Sequence, residues 1–502
     1  MFDGSLPEPA SLPATAAAAL VDAITGWSTA AAAADGRRLA AIAEFVTRRC
    51  TDEHPDWACD DWDATAAEIA AALNISHGRA NSLMNLAITL RQRLPKVGAL
   101  LLAGAITART AQLISDRTYL VFDPEAVAAL DARIAADAVS WGPLSEYKLI
   151  QAVDARVQQI DPGAIRQATR NARNRDVTFA DPDEHTGTTA MWGRLLATDA
   201  ALLDTRLTAM ANAVCPEDPR TIAQRRSDAL GALGARSQHL ACLCGSPDCP
   251  AATDDGRATS VVVHVVAEQE AVAAPGEPAE PSLHGLHATS EPTPRPDPAE
   301  PTRPAPALLV EGRGGVVPVP LLTDLIARGA KVRPLITPTE AEPRYRPSST
   351  LATFVRLRDL TCRFPGCDRP AFRTDIDHTR PYPQGLTHAA NLGCYCRKHH
   401  LLKTFWPGWT DEQLPDGTIV FTTPTGHTYR SKPGATLLFP DWPATPAPAE
   451  PARPGPPPRS LGRTLLMPTR SQTRAKARRQ RIKSERALND EAVAERCSPP
   501  PF

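Results

Sequence analysis

Between Cys362 and Lys403 the sequence reads CRFPGCDRPAFRTDIDHTRPYPQGLTHAANLGCYCRKHHLLK, and this stretch holds four of the chain's eleven cysteines and four of its twelve histidines. Cys362 and Cys367 flank the turn residues Phe364-Pro365-Gly366, which brings two thiolates to one side, as a tetrahedral ion requires. Cys396 and His399 stand three apart at the head of a predicted short helix over 396–404, where i and i+3 share a face. Three sulfurs and one imidazole match a closed structural Zn²⁺ site. The plain alternative is buried cysteines beside a solvent histidine. Cys394 competes with Cys396 as a ligand, but only Cys396 has the i, i+3 relation to His399.

Between the two pairs lie Asp377-His378, then Asn391, with His400 just beyond. Residues 373–378 alternate and are expected to form a strand, 381–385 to turn, and Asn391 to precede the helix. Strand, loop and helix would then set one acid, two imidazoles and one amide in a shallow cleft. That composition suits a one-metal centre for phosphodiester cleavage.

The order Asp-His, Asn, His inside a cysteine-pair frame resembles the HNH (ββα-metal) nuclease motif in its zinc-stapled form. The resemblance implies that His378 is the general base for water, a role that suits an imidazole whose ordinary pKa is about 6.5. It further implies that Asp377 and His400 hold a divalent cation, and that Asn391 orients the histidine's strand or completes the metal shell. Mg²⁺ fits a site with one carboxylate, while the imidazole also admits Mn²⁺, Ni²⁺ or Zn²⁺. Arg397, Lys398 and Lys403 would add phosphate contacts or form a solvated face. A zinc-stapled DNA-binding knuckle is the noncatalytic alternative, and an RNA-directed nuclease would share every catalytic residue. The flanks, 345–351 and 354–359 upstream and 402–429 downstream, resemble the repeat-associated HNH proteins of high-GC Gram-positive bacteria. These carry a helical N-terminal domain of unknown function. Asp416-Gly417 between apolar runs is a hairpin signal.

The elements that must position these residues belong to a chain of 502 residues, enough for two or three domains. A net charge of −1 excludes a generally basic coat, so contact with DNA, expected to be double-stranded, must come from local patches. Fifty prolines, concentrated in linkers, signal disorder. The longest apolar run, 97–108, is too short to span a bilayer, no signal pattern follows Met1, and the cysteines cluster as ligands. The chain is therefore expected to be cytoplasmic and not membrane-bound. Oligomeric state is not legible.

The expected fold is a mainly α N-terminal domain with a few short strands, then a small zinc-stapled α+β (ββα-metal) C-terminal nuclease domain. In order, this gives a disordered start (1–12), the helical domain (13–267) and a disordered Pro-rich insert (268–306). A return segment (307–340), the nuclease domain (341–435) and a disordered Pro/Arg-rich tail (436–502) follow. Helices are expected over 16–34, 37–49, 100–118, 124–140, 143–159, 198–213 and 221–235. Residues 68–90 read as an αα-hairpin within the bundle, the alternative being a DNA-reading helix-turn-helix with Arg79 and Asn81 near a groove. Arg166, Arg170, Arg173 and Arg175 form a basic edge, and eight Lys or Arg within 470–486 form either an arm for DNA or an inert tail. His239, Cys242, Cys244 and Cys249 make a candidate second metal knuckle.

Overall fold

The computed structural model describes residues 6–141, 144–164, 176–180, 188–257, 265–267, 307–309, 315–317, 322–323, 326–327, 331–439, 442 and 466–497. The expected insert 268–306 and the basic edge 166–175 lie outside them.

The N-terminal part is a helical bundle. Its helices are α1 (Ala17–Arg49), α2 (Asp61–Leu73), α3 (His77–Ile88), α4 (Pro95–Leu102), α5 (Ala108–Arg117), α6 (Pro124–Ala138) and α7 (Glu146–Ile160). Ala-rich α1 is one continuous helix of 33 residues, where two were expected. Nothing in 34–37 breaks it, because Gly36 lies where a Cβ would come within 3.0 Å of the Leu102 backbone, so this glycine permits a close crossing with α4. Leu39, Ile42 and Val46 of α1 bury against Met84, Leu101, Ile114, Leu130, Val153 and Val157. Among the described residues α1 alone is long and apolar enough to cross a bilayer by length and composition, yet its C-terminal half is part of this core. The single helix expected over 100–118 is two, parted at Gly104, whose φ of +76° ends α4. Buried Asp131 caps α4 from a distance, accepting from the Lys96 and Val97 amides at 2.9 and 3.0 Å.

A short antiparallel pair, β1 (Asp176–Phe179) and β2 (Met191–Arg194), precedes α8 (Ala197–Asn212) and α9 (Ile222–Gly234). Thr221 and Gln224 close a reciprocal capping box at the start of α9. A small sheet follows in the order β3 (Val265–Val266), β4 (Ala307–Leu309), β5 (Gly315–Val317).

The C-terminal module begins with α10 (Ser349–Asp359), capped by Ser348. It continues through the antiparallel pair β6 (Asp375–His378) and β7 (Leu392–Tyr395), helix α11 (Arg397–Phe405), and a meander of β8 (Thr410–Gln413), β9 (Ile419–Thr422) and β10 (Thr428–Ser431). The β8–β9 turn uses Gly417 at φ +79°, as the Asp-Gly step predicts. Strand β7, standing between Asn391 and the helix, is absent from the sequence-based expectation. All four of its residues are buried, so it lacks the alternation that marks a half-exposed strand.

Bundle and module share a core. Cys59, Ala64 and Ala67 beside and within α2 pack with Phe364, Tyr395, Leu401, Leu402, Trp409 and Phe421. After the short turn α12 (Ala435–Leu438), the tail ends in α13 (Arg474–Cys497), where disorder was expected. Its countercharges lie 325 to 414 residues upstream. Asp60 and Asp63 at the N-terminus of α2 accept from Arg470 and Arg474 at 3.0–3.2 Å, and Asp161 takes Arg486 at 2.8 Å. Arg470, Arg474 and Arg486 therefore serve docking, which neither reading of the basic tail anticipated.

Candidate functional site

The clamp residues converge. The ligand atoms of Cys362, Cys367, Cys396 and His399 all lie within 4.8 Å of one another, so this group can hold a metal ion such as zinc. His399 turns Nδ1 to the sulfurs, 3.5 Å from Cys362 and 3.4 Å from Cys396. Its other nitrogen is buried without a hydrogen-bond partner, and Phe364 stacks on the ring at 3.9 Å. Gly366 adopts φ +72° between the first two cysteines and abuts Ile75 of the bundle, where a Cβ would meet the carbonyl oxygen at 2.4 Å. The sulfurs divide their protons unequally. Burial pushes Cys362 well up; Cys367 is lowered by its bond with Cys362 but raised to about 12 by Cys396 and burial, while hydrogen bonds from both hold Cys396 far below the usual thiol range. One thiolate is thus already favoured, and a cation replacing the remaining protons completes the charge balance. Cys394 is not in the group. It is fully buried among Leu351, Val355 and Leu392.

Strand β6 and helix α11 bring Asp377 and His400 together, with Asp377 Oδ1 3.6 Å from His400 Nε2. Asp375, which sequence reasoning left without a role, holds His400 Nδ1 at 2.9 Å. Period 2 puts Asp375 and Asp377 on one face of β6, a signal that was available. Lys403 donates to Asp377 Oδ2 at 2.8 Å and to the His378 carbonyl at 2.7 Å, and lies 3.5 Å from Asp411. Burial would raise the Asp377 carboxyl, but His400 and Lys403 hold it well below the usual range. Burial and nearby Asp377 raise Asp411 to about 6. The two carboxylates thus compete for one lysine. For His400, burial opposes the charged form, yet Asp377 and Asp375 prevail and raise its pKa.

His378 follows Asp377 on β6 and is buried, stacked on Tyr345 at 5.4 Å. Burial lowers its pKa, which favours the neutral imidazole. Its Nε2 lies 2.9 Å from the Thr387 hydroxyl, which itself donates to the Arg344 carbonyl. A hydroxyl has one proton, so Thr387 must accept from His378, leaving Nδ1 as the unprotonated nitrogen. Thr387 was also missed, because the loop that folds it over β6 is not periodic.

Asn391 uses both ends of its amide on the loop backbone. Its oxygen accepts from the Arg380 amide at 2.7 Å, and its nitrogen donates to the Arg380 and Leu386 carbonyls at 2.9 Å. It fixes the loop that follows His378. Beside it runs a cleft of about 450 Å³ lined by Arg380, His388, Asn391, Asp411, Glu412 and Gln413.

Of the three α11 cations, Lys398 is taken by the bundle, reaching Asp63 at 2.8 Å and His77 at 3.2 Å, and Lys403 points inward. Arg397 alone keeps a mostly exposed head. The α2–α3 turn is therefore an interface with the clamp, where His77 faces the His399 ring at 5.5 Å. Asn81 accepts from Trp62 at 2.8 Å, within the αα-hairpin.

The second knuckle forms with one substitution. Cys242, Cys244 and Cys249 gather with Cys215, and this group can also hold a metal ion. His239 is not part of it and lies 3.2 Å from the Thr253 carbonyl. Cys215 stands 27 residues before Cys242, beyond the reach of a short-spacing pattern.

Residues 28–359 match the family model described as "Domain of unknown function (DUF222)". The whole chain is similar to two uncharacterized proteins of Mycobacterium tuberculosis (strain ATCC 25618 / H37Rv). Rv2100 is 53% identical over 517 residues and covered to 93%, and Rv3776 is 53% identical over 506 residues and covered to 95%. An uncharacterized protein in the est 3' region of M. tuberculosis is 51% identical over 359 residues, covering 70% of this chain and all of that protein. No solved structure matches the chain.

Proposed function

The chain belongs to the DUF222 family, and for this member we propose metal-dependent endonuclease activity on DNA, carried by an HNH-type ββα centre in the C-terminal module. The observation that carries the reading is the meeting of three residues on one strand–strand–helix frame. Asp377 and His400 face each other at 3.6 Å, and His378, next in the chain, is held by Thr387 with Nδ1 left basic.

His378 Nδ1 accepts the proton of the attacking water. Thr387 keeps the imidazole in that tautomer, and Asn391 keeps the following loop closed against β6. Asp377 and His400 are the residues that would hold the divalent cation. The donor set fits, because Lys403 occupies Asp377 Oδ2 while Oδ1 faces His400, and Asp375 orients His400 from behind as outer carboxylates do for metal-bound histidines. When bound, the cation neutralises charge on the scissile phosphate and the departing 3′ oxygen. Mg²⁺ is the first choice, with Mn²⁺, Ni²⁺ or Zn²⁺ admitted by the imidazole. Arg397 supplies a phosphate contact, and Tyr345 and Tyr382 offer ring faces beside His378 on which bases can stack. The clamp keeps Zn²⁺ as a structural ion and so fixes α11, which carries His400.

Supercoiled plasmid incubated with Mg²⁺ or Mn²⁺ tests the proposal. Wild type is expected to cut, EDTA to stop it, and His378→Ala to abolish cutting while clamp zinc remains. Equal cutting by wild type and variant would overturn the role of His378. Failure of both on DNA, with cleavage of an RNA panel, would redirect the activity to RNA; failure on both substrates would leave a nucleic-acid-binding module.

A further inference from the structure

We propose that Cys215, Cys242, Cys244 and Cys249 form a second, all-thiolate structural Zn²⁺ site, distinct from the clamp, that staples α8 and α9 to the segment following them. The four sulfurs lie within 4.8 Å of one another. A tetrahedral zinc with bonds of about 2.3 Å holds its sulfurs about 3.8 Å apart, so the group needs only small adjustments to close on an ion. Cys215 and Cys242 are 3.3 Å apart, well beyond the roughly 2.05 Å of a disulfide bond.

A second observation points the same way. The ligand loop is closed by its own backbone: the Cys242 amide donates to the Ala251 carbonyl at 2.7 Å and the Cys249 amide to the Ser246 carbonyl at 3.2 Å, which folds 242–251 around the sulfurs. Gly245, at φ +73°, lets the chain double back between Cys244 and Ser246.

The surroundings give the ion a structural task. Buried aliphatic packing around α8 and α9 is small, consisting of Met210, Val214, Ala229, Ala232 and Leu240. Cores of this size gain their stability from metals or cross-links. Asp218 and Arg220 preorganise the ligand segments. Asp218 accepts from the Leu243 amide at 2.9 Å and from Arg220 at 2.7 Å, and Arg220 reaches Asp228 of α9 at 2.6 Å and the Ala241 carbonyl at 2.7 Å. Four protein ligands leave no open position, so the site binds zinc and nothing further.

Metal analysis of the full chain purified without chelator is expected to give two zinc ions per molecule. Cys215→Ser is expected to lower this to one, Cys396→Ser likewise to one, and His239→Ala to leave two. Should Cys215→Ser fail to fold, cobalt substitution of wild type gives an independent reading, because two cobalt ions per chain would carry ligand-field bands from both an S₄ and an S₃N centre. A single zinc lost entirely in Cys396→Ser would overturn the proposal. So would protection of four thiols from alkylation that is relieved by reductant and not by chelator, which would mean disulfides instead.

Discussion

Asp359→Ala should strongly destabilise the C-terminal module, because it removes the anion around which that module is built. Asp359 is fully buried; its Oδ1 accepts from Arg358 at 2.8 Å and Arg363 at 2.9 Å, and its Oδ2 from the Cys394 amide at 2.8 Å. Arg358 and Arg363 are 2% and 1% exposed, so neither guanidinium can turn to water. Removing one partner of a buried ion pair costs about 3–5 kcal/mol, and the orphaned amide of β7 adds about 1–3 kcal/mol when nothing replaces its acceptor. The terms overlap, and both arginines keep carbonyl acceptors, Leu392 for one and Gly417 for the other. The expected loss is therefore about 4 kcal/mol, a large part of the roughly 5–15 kcal/mol that holds a domain folded. Urea denaturation followed by tryptophan fluorescence reads it, with zinc content of the clamp as a second signal. Asp359→Asn, which keeps an acceptor without charge, should lose less, and Arg363→Met should restore part of the loss in the Ala background. A cost below about 1 kcal/mol with zinc retained would refute the account of this network.

The same carboxylate sets an acid limit. Burial would raise its pKa, but Arg358 and Arg363 hold it below the ordinary value, so its contribution is full above about pH 4 and is lost as pH falls from there toward the folded value; a pH titration of the urea midpoint should show that fall, and Asp359→Asn should flatten it. Thr387→Val should lower kcat about fivefold with KM nearly unchanged, the effect of about 1 kcal/mol lost from holding the His378 tautomer, while Thr387→Ser should restore most of it; steady-state cleavage kinetics decide. Arg470→Ala with Arg474→Ala should release α13 from Asp60 and Asp63, seen as faster amide hydrogen exchange over 474–486 with little change in α3 to α6.

The clamp was legible because metal ligation demands particular atoms at particular spacings. A turn between Cys362 and Cys367, and an i, i+3 pair at Cys396 and His399, are local facts that hold wherever the rest of the chain goes. The same locality made Asp377, His378 and His400 readable as a set, and the helices of the bundle followed from their apolar period.

Contacts between distant segments were decided by the tertiary structure alone. Thr387 reaches His378 only because a loop folds over β6, and strand β7 is buried on every side, which erases the alternation that would have announced it. Cys215 took the corner assigned to His239 because α8 and α9 pack together and carry it to Cys242. The basic tail looked disordered by composition, yet three of its charges, Arg470, Arg474 and Arg486, are answered by Asp60, Asp63 and Asp161 of the bundle. Lys398, read as a phosphate contact, pairs instead with Asp63. Sequence spacing reports which atoms lie within a turn or two of one another. It says nothing of a countercharge or a fourth ligand that only folding brings near, and those partners decide whether a residue is free to meet a substrate.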